Sequence, residues 1–258
     1  STRKLAKKFK CDHSYIVKTI KRKTDIQYRK KLLVPYRTDT QKSVIRPKCG
    51  RILRKFRNHE FIIDNESYFT FSNSDKNSNA GLWTRDMNSA PNEVKIKTKQ
   101  KFEPKLMVWL AISPRGISQP FIVPSGLAVN QKVYLKECVI KRLIPFIQKY
   151  HSDGNYVFWP DLASSHYANT VVAHLREENV IFVEKIDNPP AVPELRPVEN
   201  FWSILKGLVY EKNWEAKTGD DLKNMIKYCL KKVDMDLVHR MVSSVPSKLD
   251  HVRRHGIE

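Results

Sequence analysis

Apolar residues recur along this chain in two rhythms, one of strands and one of helices. From residue 60 onward, short runs rich in aromatic and β-branched residues predict strands at 60–64, 67–72, 105–112, 118–123, 155–160 and 180–185. Leu106-Met107-Val108-Trp109-Leu110-Ala111-Ile112 is apolar throughout, as a strand covered on both faces should be. Asn65-Glu66-Ser67 reads as a turn between the first two strands, and Gly116 as a turn between the next two. Helical spacing marks about 130–150, with Val133, Leu135, Val139, Leu143 and Phe146 inward. A second helix is expected over 164–178 with Ser164 as its N-cap. A third opens at Pro197, whose missing N–H suits a first helical position, and carries a stripe of Val198, Phe201, Trp202, Leu205, Leu208 and Val209. Helices near 218–232 and 235–243 close the chain. Hairpin strands followed by alternating helix and strand predict an α/β body over residues 59–258, a mixed sheet flanked by helices.

The start of the chain follows the helical rhythm alone. Ser1–Phe9 reads as a helix with Leu5, Ala6 and Phe9 inward, and Lys10-Cys11-Asp12 as a tight turn. Asp12 then caps a helix from His13 to about Lys23, with Ile16, Val17 and Ile20 inward. Two short helices about such a turn describe a small all-α helix-turn-helix module over residues 1–24. Its second helix would enter a DNA major groove. His13, Ser14, Tyr15, Lys18 and Thr19 would face bases there, and Lys21 and Arg22 would reach phosphates. Residues 25–58 are basic and weakly periodic, interrupted by Pro35 and Pro47. They read as a basic linker with one short helix near 43–56, lying along DNA.

Charge names the class of partner. Lys and Arg number 47 against 27 Asp and Glu, a formal charge of +20, and basic residues concentrate in the first 57 positions. Such a field favours a polyanion, and nucleic acid fits better than a membrane because no basic amphipathic helix or lipidation motif stands out. Cys11, Cys49, Cys138 and Cys229 are scattered without a CxxC pair, which points away from a zinc module or a disulfide framework. The chain begins inside a helix, so a truncated form of something longer is expected.

Three acidic residues stand at suggestive places. Asp64 and Asp161 each close an apolar strand, and Glu199 lies in the first turn of the helix that opens at Pro197. Singly, each has an ordinary reading, a turn aspartate or a partner for the helix dipole. Together they suggest an oxygen-rich site, since ligands collect outside strand ends and carboxylates suit Mg²⁺ or Mn²⁺. Two such ions about 3.5–4 Å apart can hold the attacking and leaving oxygens of a phosphodiester displacement.

These segments resemble the mariner superfamily of DNA transposases, over nearly the whole chain. The helix-turn-helix is similar to the family's second DNA-binding subdomain, and Phe61-Ile62-Ile63-Asp64-Asn65-Glu66-Ser67 to the segment around its first catalytic aspartate. Val108-Trp109-Leu110-Ala111-Ile112-Ser113 resembles its central strand. Asp161-Leu162-Ala163-Ser164-Ser165-His166-Tyr167-Ala168 resembles the motif of the second aspartate, and Arg196-Pro197-Val198-Glu199-Asn200-Phe201-Trp202 that of the third acid. The spacing from Asp161 to Glu199 resembles that of one mariner-like subgroup.

The resemblance implies a ribonuclease H-like catalytic domain with Asp64, Asp161 and Glu199 as a metal-binding catalytic triad using two Mg²⁺ or Mn²⁺ ions. It implies excision of an element at its inverted-repeat ends and joining at TA, by a homodimer acting on double-stranded DNA in the nucleus. Water would be the first nucleophile and the freed 3′-hydroxyl the second. Two departures stand out. Leu162 replaces the Asn that usually follows the second aspartate, and the first helix-turn-helix of the family is missing, which leaves fewer phosphate contacts. They sustain a second reading, a transposase-derived DNA-binding protein without catalysis. A ribonuclease H-type nuclease for RNA hybrids ranks third, because it needs no helix-turn-helix. His166 matches a family motif residue and either adjoins the metal or bonds locally. Lys206 either touches DNA phosphate or is solvated. Trp109, Trp159 and Trp202 read as core.

Overall fold

The computed structural model describes residues 2–24, 35–72, 91, 103–124 and 126–257. The chain divides into two compact units, Ser1–Tyr36 and Arg37–Glu258.

The first unit holds α1 (Thr2–Lys8) and α2 (His13–Lys23), joined by the turn that the sequence predicts. Asp12 caps α2 by accepting from the backbone N–H of Ser14 at 2.7 Å. Of the residues expected inward, Ala6 is buried, Ile16, Val17 and Ile20 are half-buried, and Leu5 and Phe9 are exposed at 40% and 63%. Two helices this short present only one face to each other, too little to enclose a large side chain.

The second unit is built on a sheet of five strands: β1 (Glu60–Thr70), β2 (Lys105–Ser113), β3 (Gly116–Ile117), β4 (Phe121–Val123) and β5 (Tyr156–Trp159). The path runs β3-β2-β1-β5, with β4 also paired to β2. β1 and β2 are antiparallel, whereas β5 lies parallel to β1 and pairs Ile63 with Trp159. The expected turn at Asn65-Glu66-Ser67 does not form. Those residues stay extended opposite Leu110, Trp109 and Val108, because the long apolar β2 supplies partners past the point where polar side chains suggest a break. The tight turn in the next hairpin is Pro114-Arg115, and Gly116 begins β3. The segment read as a strand at 180–185 contributes one parallel bridge, Phe182 to Phe158.

Helices cover both faces. On one, α4 runs continuously through Gln131–Val133, the π-helical Tyr134–Leu143 and Ile144–Tyr150. Its Tyr134, Cys138, Val139, Leu143 and Phe146 pack with Ile62, Trp109 and Phe158. α5 (Asn169–Glu177) joins this layer through Val171 and Leu175. It starts later than expected, since residues 164–167 form turns and Ser164 caps no helix. On the other face lie α6 (Pro197–Val209), α7 (Gly219–Leu230), α8 (Met235–Ser243) and α9 (Val245–His255). The sequence reading ended at α8. In α9 it missed Val245, Leu249 and Val252, which are buried at helical spacing.

The stretch read as a linker needs the largest correction. Residues 25–34 lie outside the described ones, but Asp39–Phe56 forms an 18-residue helix, α3, with Ile45, Cys49, Ile52 and Leu53 buried in the same core as α6. A Thr38–Gln41 capping box starts it. Pro47 sits inside this helix at a cost of about 3 kcal/mol. Four buried apolar side chains at roughly 1.5–3 kcal/mol each for the larger ones offset that cost. On its outer side Arg51 and Lys55 each pair at 2.6 Å with the buried carboxylate of Asp187. The helix is therefore part of the body rather than a tether. Among the described residues, no helix is long and apolar enough to cross a membrane.

Candidate active site

All three candidate acids sit near one end of the β1–β5 pair. Asp64 lies in β1, Asp161 follows β5 by two residues, and Glu199 is in the first turn of α6. Arg196, at the N-cap position of α6, ties these elements together. Its Nη2 donates to the backbone carbonyl of Asp64 at 2.6 Å, and its Nη1 to those of Trp159 at 3.3 Å and Pro160 at 3.2 Å. The guanidinium also stacks over the Trp159 ring at 5.5 Å. One planar fork thus fixes where α6 begins relative to both strands.

The side chains do not converge as the backbones do. Successive strand residues face opposite sides of a sheet. Ile62 packs with Trp109 and Tyr134, so Asp64, two residues on, points into that layer. There its Oδ2 accepts from Trp109 Nε1 at 3.0 Å and from the Tyr134 hydroxyl at 2.7 Å. Its Oδ1 accepts from the Asp161 backbone N–H at 3.3 Å and lies 3.8 Å from Arg196 Nη2. The carboxylate is wholly buried with every oxygen engaged. Ile63 packs instead with Val198 and Phe201 of α6, so Asn65 points toward that helix. Asn65 Nδ2 donates to Glu199 Oε1 at 2.9 Å, while its Oδ1 accepts from the backbone N–H of Glu66 at 2.8 Å. Asp161 is half-buried, and its Oδ1 accepts from the Leu162 N–H at 2.6 Å. Leucine at 162 therefore still supports the aspartate through its backbone.

Among the described residues, no three His, Cys, Asp or Glu side chains converge as ligands for one metal ion. Asp161 and Glu199 have the chemistry of cation ligands, but Asp64 does not fit the third place, because its oxygens already serve Trp109, Tyr134 and Arg196.

His166 is buried in the Asp64 layer, its ring 3.9 Å from that of Tyr134. Its Nε2 lies 3.2 Å from Glu66 Oε1 and its Nδ1 3.3 Å from the backbone oxygen of Asp161. Burial opposes its protonation, but the carboxylates of Asp64 and Glu66 outweigh burial and raise its pKa. Burial pushes the Tyr134 hydroxyl well above the ordinary range, and the Asp64 carboxylate adds to the shift, so Tyr134 stays a donor. Lys206 is half-buried with its Nζ 5.4 Å from the Phe69 ring centroid. Trp109, Trp159 and Trp202 are buried as expected. In the first unit His13, Ser14, Tyr15, Lys18, Lys21 and Arg22 are exposed along α2, and Thr19 is half-buried. Sequence reasoning missed Asn65, Glu66, Tyr134 and Arg196. The signal for Asn65 was the alternation of β1, hidden by reading residues 65–67 as a turn.

No family model matches the chain. The Tc3 transposase of Caenorhabditis elegans is 26% identical over 149 residues, 58% of this chain. The chain spans 43% of the length of that curated relative. Its fold matches the Mos1 transposase paired-end complex with the left transposon end, at a TM-score of 0.78 and 15% identity over 99% of this chain and 74% of the other. It also matches the Mos1 paired-end complex with Mn, at a TM-score of 0.79 and 15% identity over 100% and 75%. The catalytic domain of Mos1 mariner transposase alone matches at a TM-score of 0.64 and 14% identity, over 87% of this chain and 98% of that one. The α/β body therefore has the ribonuclease H-like fold of that catalytic domain. In sequence the chain is thus similar to the Tc3 transposase, and in fold to the Mos1 transposase.

Proposed function

We propose that the chain acts in cut-and-paste DNA transposition, cutting phosphodiester bonds at the inverted-repeat ends of a mobile element and joining the freed ends to new DNA. The observation that carries this reading is the meeting of β1, β5 and the start of α6 under the Arg196 fork, with Asp161 and Glu199 beside it. The fold that Mos1 displays in complexes with transposon-end DNA, and the formal charge of +20, support it. The exposed face of α2 would read the DNA end, with Lys18, Lys21 and Arg22 neutralising phosphates. A homodimer, a TA target and a nuclear location belong to the same proposal.

Mos1 has been seen with Mn and with Mg. Two Mg²⁺ or Mn²⁺ ions would be the cofactors here, supplying Lewis acidity and an activated oxygen nucleophile. Asp161 and Glu199 would be the side chains that hold a cation. The engagement of Asp64 favours a second reading, a protein that binds element ends and cuts them poorly.

The test takes DNA from the sequence on either side of this gene, with any inverted repeats it carries, and incubates it with the protein in Mg²⁺ or Mn²⁺. Nicking at the repeat ends that disappears in Asp161→Ala supports the transposase. Binding without cleavage under either metal supports the second reading, and absence of any preference for the repeats removes both.

A further inference from the structure

We propose that the β1 residue facing the cation position is Asn65, not Asp64, so this chain holds a divalent cation with two carboxylates and one neutral amide. The inference rests on the reading of Asp161 and Glu199 as cation ligands. Three observations lead to it. First, β1 is one continuous strand through Asn65, so Asp64 and Asn65 point to opposite faces. Second, Asn65 is the β1 side chain that touches Glu199, at 2.9 Å. Third, β5 runs parallel to β1 as far as Trp159 beside Ile63, so Asp161 leaves the sheet next to the Asp64–Asn65 stretch of β1. Asp64 has the opposite character, being wholly buried and bonded to Trp109, Tyr134 and the backbone of Asp161.

The Asn65 amide oxygen accepts one hydrogen bond, from the Glu66 N–H, and keeps a second lone pair that can coordinate Mg²⁺ or Mn²⁺. It brings no charge, and affinity at oxygen sites follows the number of charged ligands. The site is therefore one charge short. Replacing Asn65 by aspartate would turn a hydrogen-bond donor to Glu199 into a second anion beside it. The two carboxylates would repel unless a cation lay between them. Cation binding and that repulsion are two faces of one prediction: Asn65→Asp is less stable than the wild type without metal and gains more stability from Mn²⁺.

The experiment measures Mn²⁺ binding to the whole protein by electron paramagnetic resonance, and the thermal shift on adding Mn²⁺, for the wild type and three variants. Asn65→Asp is expected to bind on the order of tenfold more tightly, with a larger Mn²⁺-induced shift than the wild type. Asp64→Asn is expected to keep wild-type affinity within about threefold, although losing a buried acceptor lowers its stability. Unchanged affinity in Asn65→Asp overturns the inference, and so does loss of binding in a folded Asp64→Asn. If Asp64→Asn does not fold, Asn65→Asp decides alone. Glu199→Gln, added to Asn65→Asp, separates the two claims. If tight binding survives that change, the cation lies elsewhere, and the reading of Asp161 and Glu199 falls together with the inference. If binding is lost with Glu199 but never improved by Asn65→Asp, only the inference falls.

Discussion

Nη2 of Arg196 lies 2.6 Å from the backbone oxygen of Asp64 and donates to it. The same guanidinium serves the carbonyls of Trp159 and Pro160, so one side chain satisfies buried acceptors on two adjacent strands while standing at the first turn of α6. Arg196→Ala would take that donor from all three, although the Pro160 carbonyl keeps Asn188 Nδ2 at 2.9 Å. At about 1–3 kcal/mol for each buried group left without a partner, the loss should reach roughly 3 kcal/mol in denaturant unfolding. Arg196→Lys should recover only part of it, since an ammonium cannot reproduce the planar fork. A loss below about 1 kcal/mol in Arg196→Ala would show that the fork does not hold the site together.

Tyr134→Phe removes one of the two side-chain donors to Asp64 Oδ2 and nothing from the Asn65 face. Stability should fall by about 1–2 kcal/mol, while Mn²⁺ affinity stays within about threefold of the wild type. Unfolding curves and metal titration on the same sample check both halves. A large drop in Mn²⁺ affinity would return Asp64 to the cation site.

Asp187 gives the body a dependence on acid. Burial opposes its ionisation, but hydrogen bonds from Lys55 and Arg51 outweigh burial and hold its carboxyl below the usual range. A carboxyl with a depressed folded-state pKa contributes stability above its unfolded pKa of about 3.9 and loses it as pH falls through the folded value. Asp187→Asn should therefore cost roughly 2 kcal/mol at pH 7, discounted because Lys55 and Arg51 are partly exposed. The difference from the wild type should shrink as the pH falls below about 4. Melting temperatures of both proteins between pH 7 and pH 3 check it.

DNA binding through α2 should show in salt dependence. Lys18→Ala removes an exposed cation from the face that would meet phosphates. Affinity should fall on every DNA sequence alike, and the slope of log K against log salt should lessen by about 0.9 if one phosphate contact is lost. An unchanged slope would take Lys18 off the DNA.

The strands, the α6 stripe and the chain positions of the acids were legible because each rests on a local pattern. The apolar run of β2 and the spacing of Val198, Phe201, Trp202 and Leu205 need no knowledge of distant residues. The direction of Asp64 was not legible. Asn65, Glu66 and Ser67 have turn composition, and only the pairing with Leu110, Trp109 and Val108 shows that the strand continues. Once that turn is assumed, the alternation separating Asp64 from Asn65 is lost, and the charged residue is taken for the functional one. α3 was shortened for a similar reason. Pro47 reads as a break, yet Ile45, Cys49, Ile52 and Leu53 bury enough surface to carry the helix through it. The clamp by Arg196 joins residues more than 130 positions apart, and no local rhythm encodes it.

The most direct measurement is anomalous diffraction at the manganese edge from crystals of the protein grown with Mn²⁺ and element-end DNA. The account predicts a manganese peak coordinated by Asp161 and Glu199, with the Asn65 side chain toward it and Asp64 still bonded to Trp109 and Tyr134. A peak coordinated by Asp64, with those two bonds broken, would contradict it.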